Sequence, residues 1–207
     1  MECIRLADEN AGEALAEAAR TLRAGGIVLY PTDTVYGLAA DVTNADAIAR
    51  LYELKGREQG KPVLILVEDI ASMGKYAVMN ETANRLAVRF LPGALTLVLP
   101  AKDTLPKGFA ADDGTVGIRV PNDPFCLALA REFGGPFTST SANVAGEETR
   151  VSVDGILAQF GERAKGITLA IDAGKRGSGK PSTVVSCVSD VPVVLREGAL
   201  SASELAL

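Results

Sequence analysis

Short apolar runs of strand length alternate along this chain with segments whose apolar residues recur at helical spacing, and that alternation points to the α/β class. Leu15, Ala18, Ala19 and Leu22 share one helical face, Gly25 and Gly26 end that helix, and residues 27–30 (Ile-Val-Leu-Tyr) follow as a buried strand. Thr43 and Asp46 have the spacing of a capping box before a second helix, which carries Ile48, Leu51 and Tyr52 inward and runs to Lys55-Gly56. Residues 63–67 form the next strand. Further helices are expected around Ala83 to Phe90, from Asp123-Pro124 through Cys126, Leu129, Ala130 and Phe133, and from Val153 through Phe160. Strands are expected at 95–99, at 116–120 and near 167–171, 183–188 and 192–195. Because strand and helix do not alternate strictly, the expected fold is a single α/β domain over residues 1–207. Its sheet would be twisted, largely continuous, mixed parallel and antiparallel, and flanked by helices. No internal repeat and no second C-terminal domain are expected.

Composition removes several kinds of chemistry. The chain has no histidine, which excludes a Ser-His-Asp triad, a histidine metal site and an imidazole general base. Its three cysteines, Cys3, Cys126 and Cys187, lie far apart without Cys-x-x-Cys spacing, so no disulfide framework or zinc site is implied. A net charge of −5 argues against coating nucleic acid by bulk charge, although local basic clusters remain able to hold phosphate. No apolar run reaches the roughly 20 residues of a membrane helix, and the acidic start does not resemble a secretory signal. The expectation is a cytoplasmic protein with no membrane association.

Five segments carry residues suited to a polar ligand. Residues 30–37 (Tyr-Pro-Thr-Asp-Thr-Val-Tyr-Gly) place hydroxyl groups at the end of an apolar strand, although the same residues make ordinary turns. Lys55 and Arg57, with Lys61 just beyond, set cations at and past a helix end, where they could surround a polyphosphate or simply complement the helix dipole. Thr115 to Pro121 is a strand whose alternation turns Gly117 and Arg119 to one face, toward an anion or toward water. Residues 138–143 (Thr-Ser-Thr-Ser-Ala-Asn) can cradle phosphate or ribose, or form a plain Ser/Thr-rich loop.

The fifth segment contains a decoy. Gly174-x4-Gly179-Lys180 matches a phosphate-binding P-loop until Pro181 replaces the required hydroxyl residue, and Thr183-Val184-Val185 then reads as strand rather than helix. The P-loop is rejected. Ser182 and Thr183 at the strand start are better candidates for contact, and Arg196 adds a cation at a later strand end.

Together these segments resemble the YrdC/TsaC family of L-threonylcarbamoyladenylate synthases, in order along nearly the whole chain. The family's Pro-Thr-(Asp/Glu)-Thr-x-Tyr-Gly-Leu pattern corresponds to residues 31–38. Its Lys-x-Arg and Ser-x-Asn pairs correspond to Lys55/Arg57 and Ser141/Asn143. Its Arg-x-Pro strand end, Ser-Thr-Val-Val and Leu-Arg-x-Gly segments fall at 119–121, 182–185 and 195–198.

The resemblance implies synthesis of L-threonylcarbamoyl-AMP from L-threonine, bicarbonate and ATP with release of pyrophosphate, a step in threonylcarbamoyladenosine modification of tRNA. It implies Lys55 and Arg57 as catalytic residues, with Arg57, Lys61, Thr115, Ser141, Asn143, Thr149 and Arg196 binding ATP. Thr34, Arg119, Ser139 and Ser182 would bind threonine, Arg119 through the carboxylate. It further implies Mg²⁺ as cofactor with ATP, proteins of a tRNA-threonylcarbamoyl transferase complex as partners, and possible weak RNA binding. Three positions depart from common family usage: Leu66 in place of a histidine, Pro181 in place of an acidic residue and Ser186 in place of an aspartate. The rival readings are an RNA-binding YrdC-like paralogue or a carbamoyl-transfer module without synthase activity.

Overall fold

The strands divide between two mixed sheets. In the computed structural model, which describes residues 1–57, 63–106, 109–176 and 180–205, the first sheet contains β1 (Glu2–Arg5), β2 (Val28–Tyr30) and β3 (Gly37–Ala39). The second begins with β4 (Ile65–Leu66), β5 (Leu95–Pro100), β6 (Thr115–Arg119) and β7 (Phe137–Thr138). Later strands are β8 (Thr140–Ser141), β9 (Leu169–Asp172), β10 (Thr183–Ser186) and β11 (Val193–Arg196). The strand orders are β1-β9-β2-β3-β8 and β11-β10-β5-β6-β4-β7. Parallel pairs such as β1 with β9 and β5 with β10 sit beside antiparallel ones such as β5 with β6.

The mixed α/β architecture is therefore as the sequence suggests, but the sheet is not one continuous ladder. It parts at residues 137–141, where β7 pairs with β4 and β8 pairs with β3. Between them the Ser139 N–H donates to the Leu64 carbonyl, and the Thr138 N–H donates to Ala40. One extended segment thus changes partner within a few residues. Because each strand adds twist relative to its neighbour, a change of ladder lets two moderately twisted sheets replace one long strained one.

Strand alternation sorts the second sheet's side chains. Leu95, Leu97 and Leu99 of β5 and Val116 and Ile118 of β6 enter one apolar core with Val185 of β10. The intervening Thr96, Val98, Thr115, Gly117 and Arg119 face the opposite side and line a cavity. The helices are α1 (Ala11–Arg23), α2 (Ala45–Lys55), α3 (Ile70–Tyr76), α4 (Glu81–Phe90), α5 (Pro124–Phe133), α6 (Val153–Phe160) and α7 (Ala202–Leu205). α1 and α5 pack together on the first sheet, burying Ala14, Ala18, Ala19 and Leu22 against Cys126, Leu129 and Ala130.

The start of α2 differs from expectation. Asn44, not Thr43, is its cap and accepts the Ala47 N–H at 3.0 Å, while Thr43 donates its hydroxyl to Asp41. Asn and Asp hold such positions well, each cap contributing about 1 kcal/mol. The helix ends at Gly56, whose φ of 61° is the left-handed conformation that turns the chain toward Arg57. Its buried face carries Ala47, Leu51, Leu54 and Lys55, with Ile48 and Tyr52 only partly covered.

Candidate anion-binding cleft

The strand faces of the second sheet, the turn after β2 and the loop after β8 enclose a cavity of about 690 Å³. Thr34, Lys55, Arg57, Thr115, Arg119, Ser139, Ser141, Asn143, Ser182 and Arg196 all border it. Two expected contacts are not among these. Thr149 is half-buried on the loop before α6, away from the lining, and Lys61 lies outside the described residues.

One group of side chains surrounds Arg119, a residue only 4% exposed. Its guanidinium donates to the Gly93 carbonyl and to Thr34 Oγ1, both at 2.9 Å, and to Asp33 Oδ1 at 2.6 Å. The Thr32 hydroxyl oxygen ties the turn together by accepting the N–H groups of Thr34 and Val35. Nearby hydroxyls are also held from behind. The Tyr30 hydroxyl donates to Ser139 Oγ at 2.8 Å, which leaves the Ser139 O–H to donate elsewhere. Complete burial pushes the Tyr30 phenol well above its ordinary value, so it remains a donor. Thr96 Oγ1 and Ser182 Oγ are likewise hydrogen-bonded at 2.8 Å.

A second group centres on Lys55, which is 3% exposed. Its ammonium donates to the backbone carbonyls of Ser141 and Asn143, the latter at 2.9 Å, and lies 3.5 Å from Asn143 Oδ1. Ser141 Oγ donates to that same Oδ1 at 2.5 Å, and Asn143 Nδ2 donates to the carbonyls of Val144 and Glu147. The Ala145 N–H returns to the Lys55 carbonyl at 2.9 Å. Burial, and then the neighbouring Arg57 charge, lower the Lys55 pKa to about 7. The oxygens around Nζ favour the ammonium in turn.

Arg196 donates to the Ser182 carbonyl at 2.8 Å. Its pKa is lowered first by burial and then by the charges of Arg119 and Arg57, which marks the cleft as locally cationic in a chain that is acidic overall. Such a site favours an anion that repairs the charge crowding. Thr115 bonds through its N–H and hydroxyl to Asp113.

Reasoning from sequence missed Tyr30, Thr96 and Asp33 as supports. Thr96 carried a signal, since a polar residue in the 95–99 strand needs a polar face. Tyr30 and Asp33 fell within the 30–37 segment, Asp33 at the acidic position of its pattern, but nothing local named their partners, which lie more than 80 residues away. Of the three departures, Pro181 borders the cavity, whereas Leu66 and Ser186 do not, Leu66 being fully buried. Thr183 begins β10, so the rejected P-loop has strand where it would need helix.

The fold and site define a class: an α/β domain with a cationic, hydroxyl-lined cleft at the junction of two mixed sheets. The chain belongs to the Sua5/YciO/YrdC family, described as telomere recombination, whose pattern matches residues 20–198. It is 40% identical over 193 residues to a threonylcarbamoyl-AMP synthase of Bacillus subtilis, covering 92% of this chain and 55% of that protein. A putative threonylcarbamoyl-AMP synthase of Methanocaldococcus jannaschii is 37% identical over 182 residues, 88% of this chain and 84% of that one. The structure of P. abyssi Sua5 complexed with L-threonine superposes with a TM-score of 0.86 at 32% identity, over 99% of this chain and 58% of that one. The chain thus spans little more than half the length of several relatives it matches.

Proposed function

We propose that this chain makes L-threonylcarbamoyl-AMP from L-threonine, bicarbonate and ATP, releasing pyrophosphate, as a step in threonylcarbamoyladenosine modification of tRNA. The observation that carries the reading is one cavity lined both by Arg119 with its ring of hydroxyls and by Arg57, Arg196 and the Ser141–Asn143 loop. The first group suits an amino-acid carboxylate and hydroxyl. The second suits phosphates. Support also comes from the names of the Bacillus and Methanocaldococcus relatives and from the threonine complex of P. abyssi Sua5.

The reaction needs no protein nucleophile, which accords with a chain that has no histidine. Threonine's amine and bicarbonate give a carbamate with loss of water. A carbamate oxygen then attacks the α-phosphorus of ATP, and the bond to pyrophosphate breaks. The protein's work is to align two anions and offset their repulsion, and alignment alone is worth about 7–11 kcal/mol in favourable cases. Arg119 holds the threonine carboxylate, assisted by the Ser139 and Thr34 hydroxyls. Arg57 and Arg196 face the phosphates, and Lys55 fixes the loop carrying Ser141 and Asn143, which keeps those two residues at the cavity.

The donor set fits Mg²⁺ only as a companion of ATP. Among the described residues no three Asp, Glu or Cys side chains gather into a metal cage, and the cleft offers cations, hydroxyls and a single carboxylate, Asp113, which already accepts the Thr115 hydroxyl. The ion would be held by the phosphate oxygens, where it would screen charge on the departing pyrophosphate. Transfer of the product to tRNA by a threonylcarbamoyl transferase complex, in the cytoplasm, completes the proposal. No helix among the described residues is long and apolar enough to cross a membrane.

The test is incubation with ATP, Mg²⁺ and bicarbonate, with and without L-threonine, followed at once by mass spectrometry. A threonine-dependent threonylcarbamoyl-AMP signal is expected. ATP binding with no adduct and no pyrophosphate would favour a module that keeps the fold without the synthase reaction.

A further inference from the structure

Arg119 has five N–H groups in a planar fork. Three are fixed by Gly93, Thr34 and Asp33, and of these partners only Asp33 is charged. Thr32 and Thr34 border the cavity, but Asp33 between them does not. The carboxylate therefore meets the guanidinium without itself forming part of the cavity lining. Its placement is enforced locally, because Thr32 Oγ1 accepts the N–H groups of both Thr34 at 3.1 Å and Val35 at 3.2 Å.

This arrangement has two consequences. A guanidinium so poorly hydrated requires a fixed counter-charge, and Asp33 at 2.6 Å supplies it with a side chain that is itself only 14% exposed. The plane of the fork is also set from two parts of the chain, by Gly93 ahead of β5 and by the turn after β2. The N–H groups not engaged by these contacts are what a ligand carboxylate meets.

We propose that Asp33 is a positioning residue, which holds Arg119 in the plane that receives an α-amino-acid carboxylate and so sets the cleft's demand for that group without touching the substrate. The inference rests on the reading of the cleft as an amino-acid and ATP site. Loss of Asp33 frees the fork to tilt or to capture other anions, so threonine recognition falls while nucleotide recognition, which uses other side chains, does not.

The experiment compares wild type with Asp33→Ala and Asp33→Asn by pyrophosphate release, varying L-threonine and ATP separately. The expected result for Asp33→Ala is a threonine KM raised by about tenfold or more, with the ATP KM within about twofold of wild type. Asp33→Asn keeps the Oδ1 acceptor and loses the charge, and falls between. L-threoninamide, which lacks the carboxylate, supplies a second readout. Wild type discriminates strongly against it and Asp33→Ala much less.

Unchanged threonine KM in both variants, or equal rises for threonine and ATP, overturns the proposal. Should Asp33→Ala fail to fold, the isosteric Asp33→Asn carries the same test with the same expected direction. A wild-type protein that forms no threonine-dependent product overturns the underlying reading and the proposal with it. Wild-type activity with indifferent variants overturns the proposal alone.

Discussion

Lys55 and Asn143 are joined through the backbone of one and the side chain of the other: the lysine Nζ donates to the Asn143 carbonyl at 2.9 Å and lies 3.5 Å from its Oδ1. The Lys-x-Arg and Ser-x-Asn pairs, separate in sequence, are thereby one structural unit. Both Lys55 and Arg57 border the cavity, and the lysine ammonium is spent on the carbonyls of the loop it holds.

Lys55→Met should therefore cost stability as well as activity. Methionine preserves much of the packing but leaves the Ser141 and Asn143 carbonyls without their donor, at about 1–3 kcal/mol for unsatisfied buried groups. Urea unfolding should show the loss, and pyrophosphate release should fall with it.

The same lysine makes stability depend on pH. Its folded pKa is about 7 and its ordinary value is 10.5. Between those values the unfolded chain binds more protons, so Lys55 makes stability rise with pH across that window, by at most about 1.4 kcal/mol per pH unit. Below pH 7 the full penalty of burying the charge applies. The check is the difference between wild-type and Lys55→Met unfolding curves, which should grow from pH 7 toward pH 10. A difference that stays flat would show that the ammonium persists in the fold.

Tyr30→Phe removes a single oxygen. The variant should lose about 1 kcal/mol by thermal or urea unfolding, as a buried hydrogen bond implies. Threonine KM should rise several-fold while ATP KM holds, because Ser139 loses the partner that directs its hydroxyl. Combination with Ser139→Ala should be less than additive.

Gly198 lies against the backbone before β10. A Cβ there would sit 2.3 Å from the Pro181 carbonyl oxygen and 2.6 Å from the Ser182 carbonyl carbon. Gly198→Ala must displace that peptide, and overpacking of this kind costs about 1–3 kcal/mol. Because Ser182 moves with it, threonine KM should increase even where the protein remains folded at the assay temperature.

The regular elements were legible wherever burial imposed a period. β5 and β6 lie within a residue of their expected bounds, since alternate side chains enter the core. α5 was legible from Asp123, whose side chain accepts the Cys126 N–H, and from Pro124 in its first turn. β1 was not, because Glu2, Cys3 and Arg5 are exposed on an edge strand held by backbone pairing to β9. α3 was missed for a similar reason, with only Ser72 and Met73 buried in seven residues. In the site, many of the cavity-lining positions were marked by motifs. Supports such as Asp33 and Tyr30 depend on tertiary pairing that no local pattern encodes. The division into two sheets was likewise invisible, since residues 138–143 read as one polar run whether or not the chain changes ladder there.

That change of ladder couples recognition to the mutual tilt of the sheets. Ser139 sits between residues bonded to different sheets, and both Ser139 and Ser141 border the cavity. A ligand that grips these two hydroxyls acts as a clasp across the seam. Its binding is expected to slow amide exchange in β3 and β4 alike, although neither strand contributes a charged group to the cleft.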